Sequence, residues 1–310
     1  MSAQLPITIA TRESRLALWQ AEHIRSQLLQ LYPQLEVSLL GMTTQGDQIL
    51  DRTLSKVGGK GLFVKELEIA MEQGKARLAV HSMKDVPMEL PPLFNMIVVG
   101  EREEATDAFI SNKYTHLSEL PNGAVVGTSS LRRECQLRER YPHLTITSLR
   151  GNLDTRLRKL DQGEYDAIIL ASAGLKRLGL GNRIKANISL TDSIPAVGQG
   201  ALAIEFRHDD KELEQLLQPL INQETAYCVL SERTLSRQLA GSCDVPLGAH
   251  ATINNGQLTL HAFVGRPDGS LIIRASATGR AEDYQTIGLD AAKQLIQQGA
   301  QAILDACRAG

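Results

Sequence analysis

The chain is poor in aromatic residues, with five Phe, six Tyr and one Trp making 4% of 310 positions. So few rings argue against a base-stacking platform for single-stranded nucleic acid. Cysteine is also scarce. Cys135, Cys228, Cys243 and Cys307 lie far apart with no Cys-x-x-Cys pair, which fits neither a zinc knuckle nor a disulfide framework. The seven histidines lack His-x-x-x-His spacing, so no metal site is expected. No apolar run approaches the roughly 20 residues that cross a bilayer. Met1–Pro6 lacks a basic segment leading into a long apolar one, so no secretory signal is read and a cytoplasmic protein without a membrane partner is expected. Nor does one sign of charge dominate. The 33 Lys and Arg against 35 Asp and Glu leave a net charge of −2, which disfavours general nucleic-acid binding.

That near-neutrality hides a local imbalance. Thr128 to Arg177 holds ten Lys/Arg and six Asp/Glu, a balance of +4, so the remainder carries −6. A basic middle in an acidic chain suggests a site for a small polyanion. Strand and helix signals alternate along the chain: Ile7–Ala10, a helix Ser14–Leu31, Leu35–Met42, a helix Gly61–Gln73, Arg77–Val80, Ile97–Val99. A second unit follows: Ala108–Ile110, Ala124–Val126, a helix Ser129–Arg140, Thr145–Leu149, a helix Leu153–Leu160 and the apolar Ala167–Leu170. This alternation predicts α/β units with parallel or mixed sheets covered on both faces. Pro and Gly punctuation predicts hinges near 100–106 and 191–200. Ala201–Phe206 reads as a strand that could return to the first unit. From about Gln223 a helix (Glu224–Leu239), strands at Ala249–Ile253, Leu258–Val264 and Leu271–Ser276, and one long helix from near Asp283 predict a smaller α/β domain. The expected domains are 1–100 plus about 200–218, 106–193, and 223–310.

Candidate chemistry gathers where predicted strands end, the place where open α/β sheets bind ligands. His81-Ser82-Met83-Lys84-Asp85-Val86-Pro87 follows Leu78-Ala79-Val80. It sets a cation beside a carboxylate, a pair worth little if it is merely a surface ion pair. Thr128-Ser129-Ser130 precedes a helix and offers N-caps. Arg132 and Arg133 then occupy the first turn, where cations oppose the helix dipole by about 0.3–1 kcal/mol each. Two arginines there suggest a ligand that carries the compensating negative charge. Arg150-Gly151-Asn152 with Arg156, Thr11-Arg12-Glu13-Ser14, and Lys176-Arg177 repeat the arrangement. Several cations at strand ends in two adjacent units predict one cleft lined with forks for carboxylates or phosphates. Gly58-Gly59-Lys60-Gly61 lacks the spacing of a nucleotide loop and reads better as a mobile lid over Lys60 and Phe63. Cys243, in Gly241-Ser242-Cys243-Asp244, reads from sequence as a small buried residue in a tight turn, since no His partner is visible.

Taken together, these segments resemble the hydroxymethylbilane synthase, or porphobilinogen deaminase, family. The likeness covers nearly the whole chain. It is carried by Thr11–Ala21, Lys56–Leu67, His81–Pro87, Gly127–Arg133, Leu149–Asn152 and Pro195–Gly200, in the family's order. The resemblance implies three α/β domains, the first two built like type II periplasmic binding proteins with a cleft between them. It implies stepwise condensation of four porphobilinogen molecules to hydroxymethylbilane with release of ammonia, in heme biosynthesis. No metal or nucleotide is called for. The family precedent is a monomer.

The resemblance also assigns roles. A dipyrromethane cofactor is expected on Cys243 through a thioether, although the family often has Gly-Gly where this chain has Gly241-Ser242. Its expected neighbours are Ser82, Lys84, Asp85, Thr128, Ser129, Ser130, Arg132, Arg133, Arg150, Gly151, Asn152, Arg156, Ala171 and Gln199. Substrate is expected on Arg12, Ser14, Lys60, Phe63, Arg150, Arg156 and Arg177. Asp85 is the implied catalytic acid, holding pyrrole N–H groups and stabilising the cation left by ammonia. The competing reading is a non-catalytic anion receptor of the periplasmic-binding type, which leaves Asp85 and the third domain unexplained.

Overall fold

The computed structural model describes residues 6–48, 64–239 and 245–309. Two compact units emerge, Met1–Arg102 with Ala201–Ala226, and Glu103–Gly200 with Tyr227–Gly310. The chain begins with β1 (Ile7–Arg12), α1 (Arg15–Leu31), β2 (Val37–Met42), α2 (Gln45–Gln48), α3 (Lys65–Glu72), β3 (Leu78–Ser82) and β4 (Phe94–Val99). It continues through β5 (Asp107–Ile110), β6 (Val125–Gly127), α4 (Leu131–Arg140), β7 (Thr145–Thr147), α5 (Leu153–Asp161), β8 (Ala167–Ala171), α6 (Ser172–Arg177) and β9 (Ala186–Ile188). Then come β10 (Leu202–Arg207), α7 (Lys211–Leu217), α8 (Gln223–Gln238), β11 (Leu247–Asn254), β12 (Gln257–Gly265), β13 (Ile272–Arg280), α9 (Tyr284–Gln297) and α10 (Ala300–Ala309).

In the first unit the strands run β2-β1-β3-β10-β4. β2, β1 and β3 are parallel, and β10 enters antiparallel between β3 and β4. The predicted strand Ala201–Phe206 thus does return to the first sheet. Strand side chains alternate between faces, and here they sort into two cores. Ile7, Ile9, Leu78, Val80, Ile204 and Phe206 pack with Ala21, Ile24 and Leu28 of α1. Ala10 and Ala79 face the other way, onto Leu67, Ala70 and Met71 of α3. The second unit repeats the plan as β7-β6-β8-β5-β9. Phe109, Val126 and Ile169 pack toward Leu137 of α4, while Ala108, Ile168 and Leu170 pack toward Leu157 and Leu160 of α5. A three-stranded antiparallel sheet, β11-β12-β13, completes the chain with α9 and α10 against it. The molecule is a mixed α/β protein of two five-stranded sheets and a smaller C-terminal α/β portion. Among the described residues no helix is long and apolar enough to cross a membrane.

The predicted single C-terminal helix is two. Gly299, at φ +96°, separates α9 from α10, where the left-handed conformation favours glycine. Apolar spacing runs on through Ile296, Ile303 and Leu304, which hid the break. Unpredicted elements are short: β9 has three residues, and α6 starts on Ala171 without a side-chain cap.

One close approach in the second unit yields a stability prediction. A Cβ on Gly248 would meet Phe263 Cε1 at 2.6 Å and the Ile194 and Pro195 carbonyl oxygens at 2.8 and 2.9 Å. Two of those neighbours are backbone and cannot swing aside. Gly248→Ala is therefore expected to cost about 1–3 kcal/mol as an overpacked site. A lowered denaturant midpoint at unchanged slope would show it, and a midpoint equal to that of the parent would contradict it.

Candidate active site

In the first unit the candidate residues sit at the ends of β1 and β3. Arg12 ends β1. Ser14 caps α1, its hydroxyl accepting from Ala17 N–H at 3.4 Å, and the buried Thr11 hydroxyl donates to Ala17 O at 3.1 Å. Ser82 ends β3, and Met83–Asp85 form a 3₁₀ turn. Two bonds pin that turn. Met83 N–H donates to Ala201 O at 3.0 Å, just before β10, and Val86 N–H donates back to Met83 O at 3.2 Å. Gln20 Nε2 of α1 donates to Ser82 Oγ at 2.7 Å. Met83 and Val86 are buried, whereas Lys84 and Asp85 between them are half-exposed. The apolar residues anchor the turn, and the two charged ones project from it.

In the second unit the fold meets part of the charge of the first-turn arginines itself, with one buried carboxylate against two guanidinium groups. Asp107, wholly buried on β5, takes Arg132 bidentately, Nη1 to Oδ2 at 2.8 Å and Nη2 to Oδ1 at 2.9 Å. Arg133 Nε reaches Oδ1 at 2.9 Å, Ser193 Oγ donates to Oδ2 at 2.7 Å, and Gln199 Nε2 donates to Oδ1 at 3.0 Å. Burial alone would raise the Asp107 carboxyl. The charges of Arg132 and Arg133, with their hydrogen bonds, outweigh it and hold the group far below the usual carboxylate range. Burial draws the Arg132 guanidinium down, and Arg133 adds to that, against the pull of Asp107. Asp107 stands two residues before Phe109 on β5 and shares its face, the one that α4 covers. The sequence shows it only as one acid in a strand.

The other predicted residues are placed as follows. Ser130 caps α4 by accepting from Arg133 N–H at 3.4 Å, and Thr128 Oγ1 accepts from Ser130 N–H at 3.2 Å. Ser129 Oγ donates to Leu149 O at 2.7 Å, which ties the β6 end to the β7 end. Asn152 caps α5, accepting from Thr155 N–H at 2.9 Å. Gly151 has φ +108°, and a Cβ there would meet Thr155 Cγ2 at 2.6 Å. Its glycine has a local cause besides any ligand. Arg150 is half-buried, and Arg156 Nε donates to Gly151 O at 2.8 Å. Ala171 stands at the junction of β8 and α6. Arg177 ends α6 and donates from Nη2 to Gly200 O at 2.7 Å. Burial lowers its pKa to about 10, with Glu103 opposing. The Gln199 amide is directed inward, onto Ala105 O at 2.6 Å as well as Asp107. Lys60, Phe63 and Cys243 lie outside the described residues.

The family model described as porphobilinogen deaminase, dipyromethane cofactor binding domain, matches residues 7–215. The porphobilinogen deaminase C-terminal domain model matches residues 226–297. The chain belongs to the porphobilinogen deaminase family. A porphobilinogen deaminase of Thiobacillus denitrificans is 62% identical over 97% of this chain and 98% of its own length. One of Chromobacterium violaceum is 60% identical over 97% of each. Among solved structures, a periplasmic substrate-binding protein of Coxiella burnetii aligns over 76% of this chain and 97% of its own, at 15% identity and a TM-score of 0.44. Family membership over nearly the full length does not favour the receptor alternative.

Besides Asp107, two further buried acids were not singled out from sequence, Glu205 on β10 and Glu232 on α8. Glu232 accepts from Gly198 N–H at 2.7 Å and Ala251 N–H at 2.8 Å, which clamps the Pro195–Gly200 segment to β11. Glu205 carries a local signal: it is a carboxylate at an inward position of an otherwise apolar strand, Leu202-Ala203-Ile204-Glu205-Phe206.

Proposed function

We propose that Asp85 serves this chain as the acidic group in the reaction of its family, the condensation of four porphobilinogen molecules into hydroxymethylbilane. Four ammonia molecules leave and one water enters at final release. The chain is a transferase of tetrapyrrole biosynthesis with a dipyrromethane cofactor. The observation that carries the reading of the site is the end of β3, where the half-exposed Lys84 and Asp85 stand on a turn held by buried Met83 and Val86.

Each pyrrole brings an acetate and a propionate. Planar guanidinium forks suit carboxylates, and Arg12, Arg150, Arg156 and Arg177 are the proposed forks for substrate, with Ser14 donating a hydroxyl hydrogen bond. Lys60 and Phe63 are the proposed lid contacts. The Asp85 carboxylate accepts from pyrrole N–H groups and opposes the positive charge that develops as the amine departs from the substrate. It is also placed to take the proton released when the new carbon–carbon bond restores the ring.

The donor set suits the cofactor, whose side chains are again carboxylates. Arg132 Nε is buried and has no hydrogen-bond partner among the described residues, so a donor remains after Asp107 is satisfied. Ser82, Lys84, Asp85, Thr128, Ser129, Ser130, Arg132, Arg133, Arg150, Gly151, Asn152, Arg156, Ala171 and Gln199 are the proposed surroundings, with the thioether on Cys243. When bound, the dipyrromethane supplies a pyrrole with a free α-position to accept the first unit. The proposed setting is a cytoplasmic monomer.

Intact mass tests the attachment. The purified protein is expected to carry an adduct of two pyrrole units, absent from Cys243→Ser, which loses tetrapyrrole synthesis. An unmodified chain with full activity would overturn the assignment.

A further inference from the structure

Behind β3, on the face covered by α3, lies a cluster that the reaction as described does not use. His81 and Glu205 are diagonal neighbours on paired strands, because β10 runs antiparallel to β3 with Ala203 opposite His81 and Glu205 opposite Ala79. Side chains at i and i+2 share a face, so Ala79, His81, Ala203 and Glu205 all point toward α3. His81 is 7% exposed and Glu205 is fully buried. His81 Nε2 and Glu205 Oε2 are 2.8 Å apart. The other oxygen, Oε1, is buried and has no hydrogen-bond donor among the described residues. A carboxylate oxygen buried without a donor is costly. The group beside it is another carboxyl, Glu68 of α3, in hydrogen-bonding contact with Glu205. Two carboxylates cannot bond to each other unless one holds a proton.

We propose that Glu68 is a positioning residue: its protonated carboxyl donates to Glu205 Oε1, and the chain Glu68–Glu205–His81 locks β10 against β3 where β3 delivers Asp85. The lock acts at the right place. Asp85 leaves β3 three residues after Ser82, on a turn whose first N–H is held by Ala201, the residue preceding β10. The register of β10 on β3 therefore decides where Asp85 stands, and the Glu205–His81 pair is the polar contact that marks that register. A slip of β10 by one residue would turn Glu205 to the opposite, apolar face and away from His81.

Electrostatics agrees. Burial raises the Glu68 carboxyl to about 7, the charge of Glu205 pushes the same way, and His81 opposes. Glu72, one turn further along α3, adds a smaller upward push. β1 contributes only Ala10 to this core. Among the described residues no group of three or more His, Cys, Asp or Glu could hold a metal ion.

The inference rests on the assignment of Asp85, and its test is separable from that assignment. Glu68→Gln keeps a permanent donor to Glu205, whereas Glu68→Leu removes it. Both are made in the full chain carrying its cofactor. Melting temperature against pH reads the proton without reference to turnover. A carboxyl whose pKa is raised on folding gives its full stabilisation below the unfolded value of 4.5 and loses it as pH climbs through the folded value. The Gln variant has no such loss. Its melting temperature is expected to gain on that of the parent by several degrees between about pH 4.5 and 7 and to hold the gap above, in line with the pKa shift. For positioning, the Leu variant is expected to lose roughly 10-fold or more in kcat with KM little changed, as a misplaced catalytic group does, and Gln is expected to restore kcat. A gap between Gln variant and parent that is constant over this pH range would overturn the shared proton. A Leu variant as active as the parent would overturn the positioning role. If the Leu variant does not fold, the pH profile of the Gln variant decides. Absence of tetrapyrrole synthesis in the parent would instead count against the functional reading.

Discussion

Asp107→Ala is expected to destabilise the second unit by about 3–5 kcal/mol, the cost of leaving buried charge uncompensated. One carboxylate there receives Arg132, Arg133, Ser193 and Gln199. Its removal strands two guanidinium groups that are 5% and 6% exposed. Equilibrium unfolding in denaturant is the measurement, and a loss under about 1 kcal/mol, the range of exposed pairs, would show that the arginines find other partners. The pH dependence has a definite sign. The Asp107 carboxyl is lowered on folding, so its stabilisation is complete above the unfolded value of 3.8 and declines as pH falls below it. The stability difference between parent and variant should therefore shrink on acidification. Growth of the difference at low pH would contradict the assigned charge state.

The second large effect belongs to Asp85. Asp85→Asn keeps the size of the side chain and a carbonyl that can still accept from a pyrrole N–H, and removes only charge and basicity. The expected result is a fall in kcat of about 10²–10³, the range for loss of a general base or of a charge aimed at a developing cation. The melting temperature and the two-pyrrole adduct should both persist, since Lys84 and Asp85 project from a turn that Met83 and Val86 anchor. Turnover within about threefold of the parent, far less than such a group contributes, would remove Asp85 from the chemistry.

These two acids illustrate what a sequence discloses. Asp85 is legible because a charged residue directly after an apolar strand has few places to go except the rim of a sheet. The caps at Ser14 and Ser130 were legible for a similar local reason, since each hydroxyl satisfies an N–H within three residues. Asp107 was not legible, because its partners lie 25 and 26 positions away. From the sequence, Arg132 and Arg133 posed the right question, namely what neutralises two cations in a first helical turn. The answer required knowing that β5 lies beneath α4. Glu205 and His81, 124 positions apart, became neighbours only when β10 crossed back between β3 and β4. The C-terminal break at Gly299 was obscured by apolar spacing that happens to continue through it.

By itself the sequence determined the α/β alternation, the strand ends that carry cations and Asp85, and the family. Each depends on short segments whose side-chain period or order is complete within a few residues. The tertiary structure decided which charges are already spoken for. Arg132 and Arg133 are paired with Asp107, Gln199 is turned inward, and Glu205 sits behind the turn that carries Asp85. Burial strips water from these groups, and without water a charge must find its partner wherever the fold has placed one.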